Sequence, residues 1–230
     1  WQAYVYCLQN HDQVGNRPFG ERMNAMASRA DMLTATMLLL LLPHTPLLFQ
    51  GQEYLASTPF LFFTDHPTTL ATEVTVGRRR DFAQFKAFED ESLRESIPDP
   101  QDPLTFARSR LDRDEARFGL GLLAVDFHRQ LLHIRATDPV LRAYREQRLP
   151  IEAKTVSQAG VLRFTAGGGR GWLVVNFGGE VAFCVDDTQG GEILLHTNEG
   201  RFGGIGGAPH LVDGRLTVPA SCALWMTGKP

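Results

Sequence analysis

The sequence predicts an α/β unit followed by an all-β region. Three observations carry that expectation. Two short apolar runs, Tyr4–Leu8 and Thr45–Gln50, each end in a polar cluster. An apolar stretch of helix length, Ala30–Leu42, lies between them. After about residue 145 the chain breaks into short apolar segments split by Gly, Pro and Asp.

The first run is rich in aromatic and β-branched residues and reads as a buried strand. It gives way to Asn10-His11-Asp12-Gln13, followed by Gly15. Polar side chains at the C-terminal mouth of a parallel strand are where α/β barrels place their chemistry. The same residues also fit a solvent-exposed turn in which Asn10 or Asp12 caps the next segment. Ser28 is a plausible N-cap with Asp31 three residues later, and Pro43 closes the helix that follows. That helix is apolar on nearly every face, the mark of a wholly buried element. The second strand leads into Gly51-Gln52-Glu53-Tyr54, which completes a right-handed βαβ unit. Glu53 follows the second strand as Asp12 follows the first. It fits either a site carboxylate or a loop carboxylate paired on the solvent side.

The loop Pro59–His66 carries Phe60, Leu61, Phe62 and Phe63, which suit either the apolar face of a sugar ring or a hydrophobic plug. The run Arg78-Arg79-Arg80 reads as a solvated face. Ile97–Phe106 reads as a Pro-rich ordered loop. Helical periodicity returns from Glu115 to about Ala136, and Asp138-Pro139 ends it. The segments 161–164, 172–177, 181–185, 192–195, 216–218 and 220–226 then predict an antiparallel β-sandwich. Gly167-Gly168-Gly169 falls between two strands of a hairpin and lacks the Lys and helix of a phosphate loop.

Composition narrows the function. At 230 residues, 43% hydrophobic and 21% charged, the chain is of ordinary globular type. A net charge of −3 gives no basis for nucleic-acid or anionic-membrane binding. Cys7, Cys184 and Cys222 form no Cys-x-x-Cys, so neither zinc nor a disulfide framework is suggested, and a reducing, cytoplasmic setting is the expectation. The apolar run Met32–Pro43 is too short for a bilayer, which needs about 20 residues. No signal peptide is visible, and a chain that opens on Trp1 beside a strand reads as a piece of something larger.

Leu8-Gln9-Asn10-His11-Asp12-Gln13-Val14-Gly15-Asn16-Arg17 resembles the fourth signature region of the alpha-amylase superfamily of glycoside hydrolases. Within it, the strings Phe60–His66 and Pro98–Phe106 resemble the maltooligosyltrehalose trehalohydrolase family. The resemblance implies that residues 1–143 are the last part of a (β/α)8 barrel, about strands 7 and 8 with their helices. Residues 144–230 would be a C-terminal β-sandwich. It implies that Asp12 stabilises the transition state and that His11 holds the same sugar; Asn10, Gln13, Glu53, Phe62, Asp65 and His66 are the further candidates for substrate contact. The substrate would be a malto-oligosaccharide carrying trehalose, with no cofactor and no metal. The nucleophile and the acid/base of a retaining glycosidase would belong to barrel strands upstream, so the missing barrel portion becomes an expected partner. Two alternatives stay open: a branching enzyme or other transglycosylase of the same superfamily, and a non-catalytic carbohydrate-binding module.

Overall fold

A computed structural model describes residues 3–147, 149–166, 168–185 and 191–228. Strand β1 (Val5–Cys7) leads into the short helix α1 (His11–Gly15). Helix α2 (Arg29–Leu41) follows, then strand β2 (Thr45–Leu47). β1 and β2 pair in parallel, Val5 with Thr45 and Cys7 with Leu47, so the βαβ unit forms as the apolar pattern requires. Ser28 caps α2 as its sequence predicts: its hydroxyl accepts from the Asp31 amide at 3.1 Å and donates to the Asp31 carboxylate at 2.7 Å.

Burial separates the two parts of this unit. Met32, Leu33, Met37, Leu40 and Leu41 of α2 are all 2% exposed or less. β1, in contrast, is not the buried strand its composition predicts: Tyr4, Val5 and Tyr6 are 62%, 61% and 48% exposed. The reason is that β2 is its one neighbour among the described residues, and a two-stranded sheet cannot cover both of its own faces.

After β2 the chain makes a long excursion through α3 (Thr68–Asp81), α4 (Glu91–Glu95) and α5 (Pro103–Arg108). The stretch expected as a Pro-rich loop therefore ends in a helix. Asp102 starts it by accepting from the Leu104 amide at 2.8 Å, with Pro103 in the first turn. Helix α6 (Gly119–Thr137) returns to α2, and α7 (Pro139–Gln147) follows at once.

Two antiparallel sheets make up the rest. Strands β3 (Glu152–Val156), β4 (Ala159–Ala166) and β5 (Gly169–Asn176) lie in one sheet. Strand β6 (Val181–Cys184) belongs to the other, and β7 (Glu192–His196) to the first. Strands β8 (His210–Val212) and β9 (Arg215–Val218) pair beside β6, and β10 (Cys222–Gly228) inserts between β5 and β7. The larger sheet runs β3-β4-β5-β10-β7 and the smaller β6-β9-β8. Gly168 and Gly169 fall at the β4–β5 hairpin, while Gly167 lies outside the described residues.

Both faces of the larger sheet are covered. Trp172, Val174, Leu224 and Met226 meet Phe183, Leu216 and Val218 of the smaller sheet. Leu173, Val175, Leu195 and Trp225 face the other way, onto Met37 and Leu40 of α2, Phe127 and Leu131 of α6, and Leu141 of α7. No helix among the described residues is long and apolar enough to cross a membrane.

His128 of α6 is 4% exposed, and its Nδ1 lies 2.8 Å from the Ala124 carbonyl. Burial pushes its pKa below the ordinary histidine value; the Ala124 carbonyl and the field of Glu53 act in the opposite sense. The unfolded chain thus takes up the proton first as pH falls. The stability that this neutral ring contributes is complete above about pH 6.5 and declines below it. The urea midpoint should be lower at pH 5 than at pH 7.5, and His128→Leu should flatten that dependence. An unchanged slope in the variant would exclude His128 as its source.

Candidate functional site

The site is built on the turn that follows β1. Asn10 has extended backbone and caps α1: its Oδ1 accepts from the Gln13 amide at 3.0 Å. That capping bond leaves the next two side chains without a local role. His11 and Asp12 are 70% and 71% exposed, with His11 Nε2 at 3.3 Å from Asp12 Oδ1. Gln13 is exposed beside them, whereas Val14 and Gly15 turn inward. The two readings of this motif divide by residue. Asn10 is the turn-former, and the His11–Asp12 pair is presented to solvent.

Neighbouring segments fix the underside of α1. The ring of Phe60 would lie 3.6 Å from a Cβ at Gly15. Gly20 brings the loop backbone against Phe60, whose amide donates to the Gly20 carbonyl at 2.9 Å. Gly20 has φ +61, and a Cβ there would stand 2.4 Å from the Phe60 carbonyl oxygen, so only glycine fits.

Arg78 binds the far end of α1. Its Nη2 donates to the carbonyls of Gly15 and Arg17, both at 2.8 Å. Its guanidinium lies over the rings of Phe62 at 4.7 Å and Phe82 at 5.4 Å. Burial lowers the Arg78 pKa from its ordinary value, with Asp81 opposing. The reading of Arg78-Arg79-Arg80 as one solvated face is therefore corrected. Arg78 is half-buried and points to α1, Arg79 reaches the Ile97 carbonyl at 3.4 Å, and Arg80 is exposed. On a helix, successive residues point about 100° apart, so three adjacent arginines cannot share a face.

Beyond β2, Gln52–Tyr54 forms a short helical turn that carries Glu53. Glu53 is half-buried, and its charge acts on Arg22, Tyr54 and His128. Arg22 is 2% exposed; its Nε donates to the Thr58 carbonyl at 2.5 Å and its Nη1 to that of Gln50 at 2.7 Å. This buried cation locks the loop after β2 to the loop after α1. Sequence reasoning missed it, because a single Arg between Glu21 and Met23 carries no periodic signal.

Phe49, Phe60, Phe63 and Phe106 form a run of edge-to-face rings with centroids 5.2, 5.7 and 5.2 Å apart. Three of them, Phe60, Phe63 and Phe106, line an open cleft of about 510 Å³ with Gln50, Arg110 and Asp112 on its walls. Phe62 points elsewhere, under Arg78. Asp65 and His66 are exposed; the His66 amide donates to Gln101 Oε1 at 3.0 Å. Asn10, His11, Asp12 and Gln13 thus share one turn. Among the described residues, no hydrogen bond or ion pair joins Glu53, Phe62, Asp65 or His66 to it. Nor does any group of three His, Cys, Asp or Glu side chains there stand where it could hold a metal.

No family model matches the chain. A crystal structure from Salmonella typhimurium, of a protein assigned as an alpha amylase, superposes with a TM-score of 0.76 and 31% identity, covering 99% of this chain and 35% of that one. The chain accordingly has the architecture of part of an alpha-amylase-family protein. It is 40% identical over 204 residues to malto-oligosyltrehalose trehalohydrolase of Deinococcus radiodurans, and 37% identical over 199 residues to that of Brevibacterium helvolum. Each match covers 86% of this chain and 32% of the relative, so the chain spans about a third of the length of these relatives. The chain is a homologue of the malto-oligosyltrehalose trehalohydrolases over that third.

Gly20→Ala should force the Phe60 backbone away from α1 and cost about 3 kcal/mol. Urea denaturation of the variant checks this. A loss under about 0.5 kcal/mol, the range of an ordinary surface change, would show that the loop yields freely.

Proposed function

We propose that this chain supplies part of the active site of a retaining glycoside hydrolase. The reaction is cleavage of the α-1,4 bond next to the trehalose unit of maltooligosyltrehalose, with release of trehalose. One observation carries the reading: in a chain 40% identical to a trehalohydrolase, the Asp12–His11 pair is presented to solvent after the C-terminal end of a parallel strand. On this reading residues 1–143 are the end of the barrel, with β1 and β2 as its seventh and eighth strands, and residues 144–230 are the C-terminal β-sandwich. The exposed apolar side chains of Tyr4, Val5, Tyr6 and Leu47 support it, since further barrel strands would cover them.

The mechanism needs a nucleophile and an acid/base about 5–5.5 Å apart, and both would come from the barrel portion outside this chain. Asp12 acts as a third carboxylate. Its oxygens accept hydrogen bonds from hydroxyls of the sugar whose bond breaks, and these strengthen as the ring flattens and gains positive charge. His11 donates to a neighbouring hydroxyl of the same sugar. Asn10 holds the turn, and Gln13, Glu53, Asp65 and His66 contact substrate farther out. Phe62 keeps one face under Arg78, so its contact is confined to the other. Phe60, Phe63 and Phe106 present rings to which the apolar face of a further glucose unit can stack.

The test is trehalose release from maltotriosyltrehalose by this chain alone and by the chain joined to the remaining barrel. Activity is expected only in the joined form. Asp12→Asn there should lower kcat by about 10²- to 10³-fold with little change in KM. Near-normal turnover in that variant would remove Asp12 from the site. New 1,6 branches without trehalose would replace the hydrolase by a transglycosylase. Phe63→Ala should raise KM about tenfold and spare kcat; an unchanged KM would take the cleft out of the substrate path.

A further inference from the structure

We infer that Arg78 is a positioning residue for Asp12, which deepens the reading of Asp12 given above. Helix α1 has five residues, and a helix so short has little stability of its own. Its geometry must be imposed from its ends. Asn10 fixes the first turn through the Gln13 amide. At the other end the carbonyls of Gly15 and Arg17 have run out of helix, and both are taken by one nitrogen of Arg78. Asp12 lies between these two anchors. The Asn16 amide returns to the Asp12 carbonyl at 3.0 Å, so a shift of the anchored end is passed directly to the Asp12 backbone.

Arg78 is itself held in place. Phe82, 9% exposed, lies under its guanidinium on one side, and Phe62 of the loop after β2 lies near it as well. The planar cation therefore joins three segments: the C-terminal end of α1, the loop carrying Phe62, and α3. A lysine would keep the charge but lose the flat surface and the fixed donor geometry. The other two arginines of the run do not reach α1, since Arg79 turns to Ile97 and Arg80 to solvent. No side chain of α3 is fully buried, and Arg78 is the α3 side chain whose hydrogen bonds reach the end of α1.

The full-length enzyme carrying Arg78→Met, Arg78→Lys or Arg80→Met tests this with maltotriosyltrehalose as substrate. Arg78→Met should lower kcat about 10²-fold, the usual effect of misplacing a reacting group by about 1 Å, while KM stays within about threefold. Arg78→Lys should recover part of the loss, and Arg80→Met should match the parent. In an Asp12→Asn background, Arg78→Met should change kcat by less than about threefold, because the group it positions is already gone. Equal losses in both backgrounds, or a normal kcat in Arg78→Met, overturn the proposal. If the Met variant does not fold, the Lys variant carries the same comparison. Hydrogen exchange of residues 11–17, followed in the same proteins, separates this idea from the catalytic reading. Faster exchange in Arg78→Met is expected even if Asp12→Asn turns over normally. Unchanged exchange shows that Arg78 does not hold α1.

Discussion

Much of this structure depends on one requirement: backbone carbonyls left over at the ends of helices and strands must find donors once they are buried. Here guanidinium groups meet it. Arg135, 9% exposed on α6, donates to the carbonyls of Leu40 at 2.7 Å and His44 at 2.5 Å, and also to that of Leu42. Those three residues span the end of α2 and the approach to β2, so a single side chain closes the turn that makes the two strands parallel. Burial, with Arg145 nearby, brings the Arg135 pKa down to about 10, which still leaves it charged at neutral pH. Arg22 does the same for the carbonyls of Gln50 and Thr58, and Arg29 donates to that of Phe202 at 3.2 Å. An arginine suits these positions because its donors diverge in a fixed plane and can bind several carbonyls at once.

The same economy joins the helical and β-rich parts. Asp138 ends α6 and starts α7, its Oδ1 accepting from the amides of Val140 and Leu141 at 2.9 and 3.0 Å. Its other oxygen accepts from the indole of Trp225 in β10 at 3.1 Å. Thr34 of α2 donates to the Ser221 carbonyl at 2.9 Å. Around these bonds Phe164, Leu173, Leu195 and Trp225 of the sheet pack with α2, α6 and α7 in one apolar cluster. The buried helix α2 is covered by this sheet, which explains why it can be apolar on nearly every face.

The legible parts of the chain are those whose stability comes from burial. α6 announces itself because its apolar residues repeat near the helical period, and α2 and the central strands β5 and β10 because they are continuous apolar runs of the right length. α3 does not, since none of its side chains is fully buried and its Thr, Val and Arg residues carry no apolar stripe. α7 is hidden for a different reason. Asp138-Pro139 reads as a helix stop, yet Asp at the N-cap and Pro in the first turn are equally a helix start, and both are true here. The arginine contacts are the least legible, because their acceptors are backbone carbonyls that any residue possesses. Nothing in the spacing of Arg22 to Thr58, or of Arg78 to Gly15, marks them as partners.

The motif after β1 shows why site residues and structural residues are hard to separate by sequence. Asn10, Asp12 and Arg78 are all polar and all belong to one small region, but only Asp12 is left without a partner in the fold beyond His11. A carboxylate already bound to buried donors would have to give them up before it could accept from a sugar hydroxyl, and the exchange would gain little. Availability is therefore what the proposed role of Asp12 requires of the fold. It arises because Asn10 satisfies the start of the helix and Arg78 its end, which leaves Asp12 neither to cap nor to clamp.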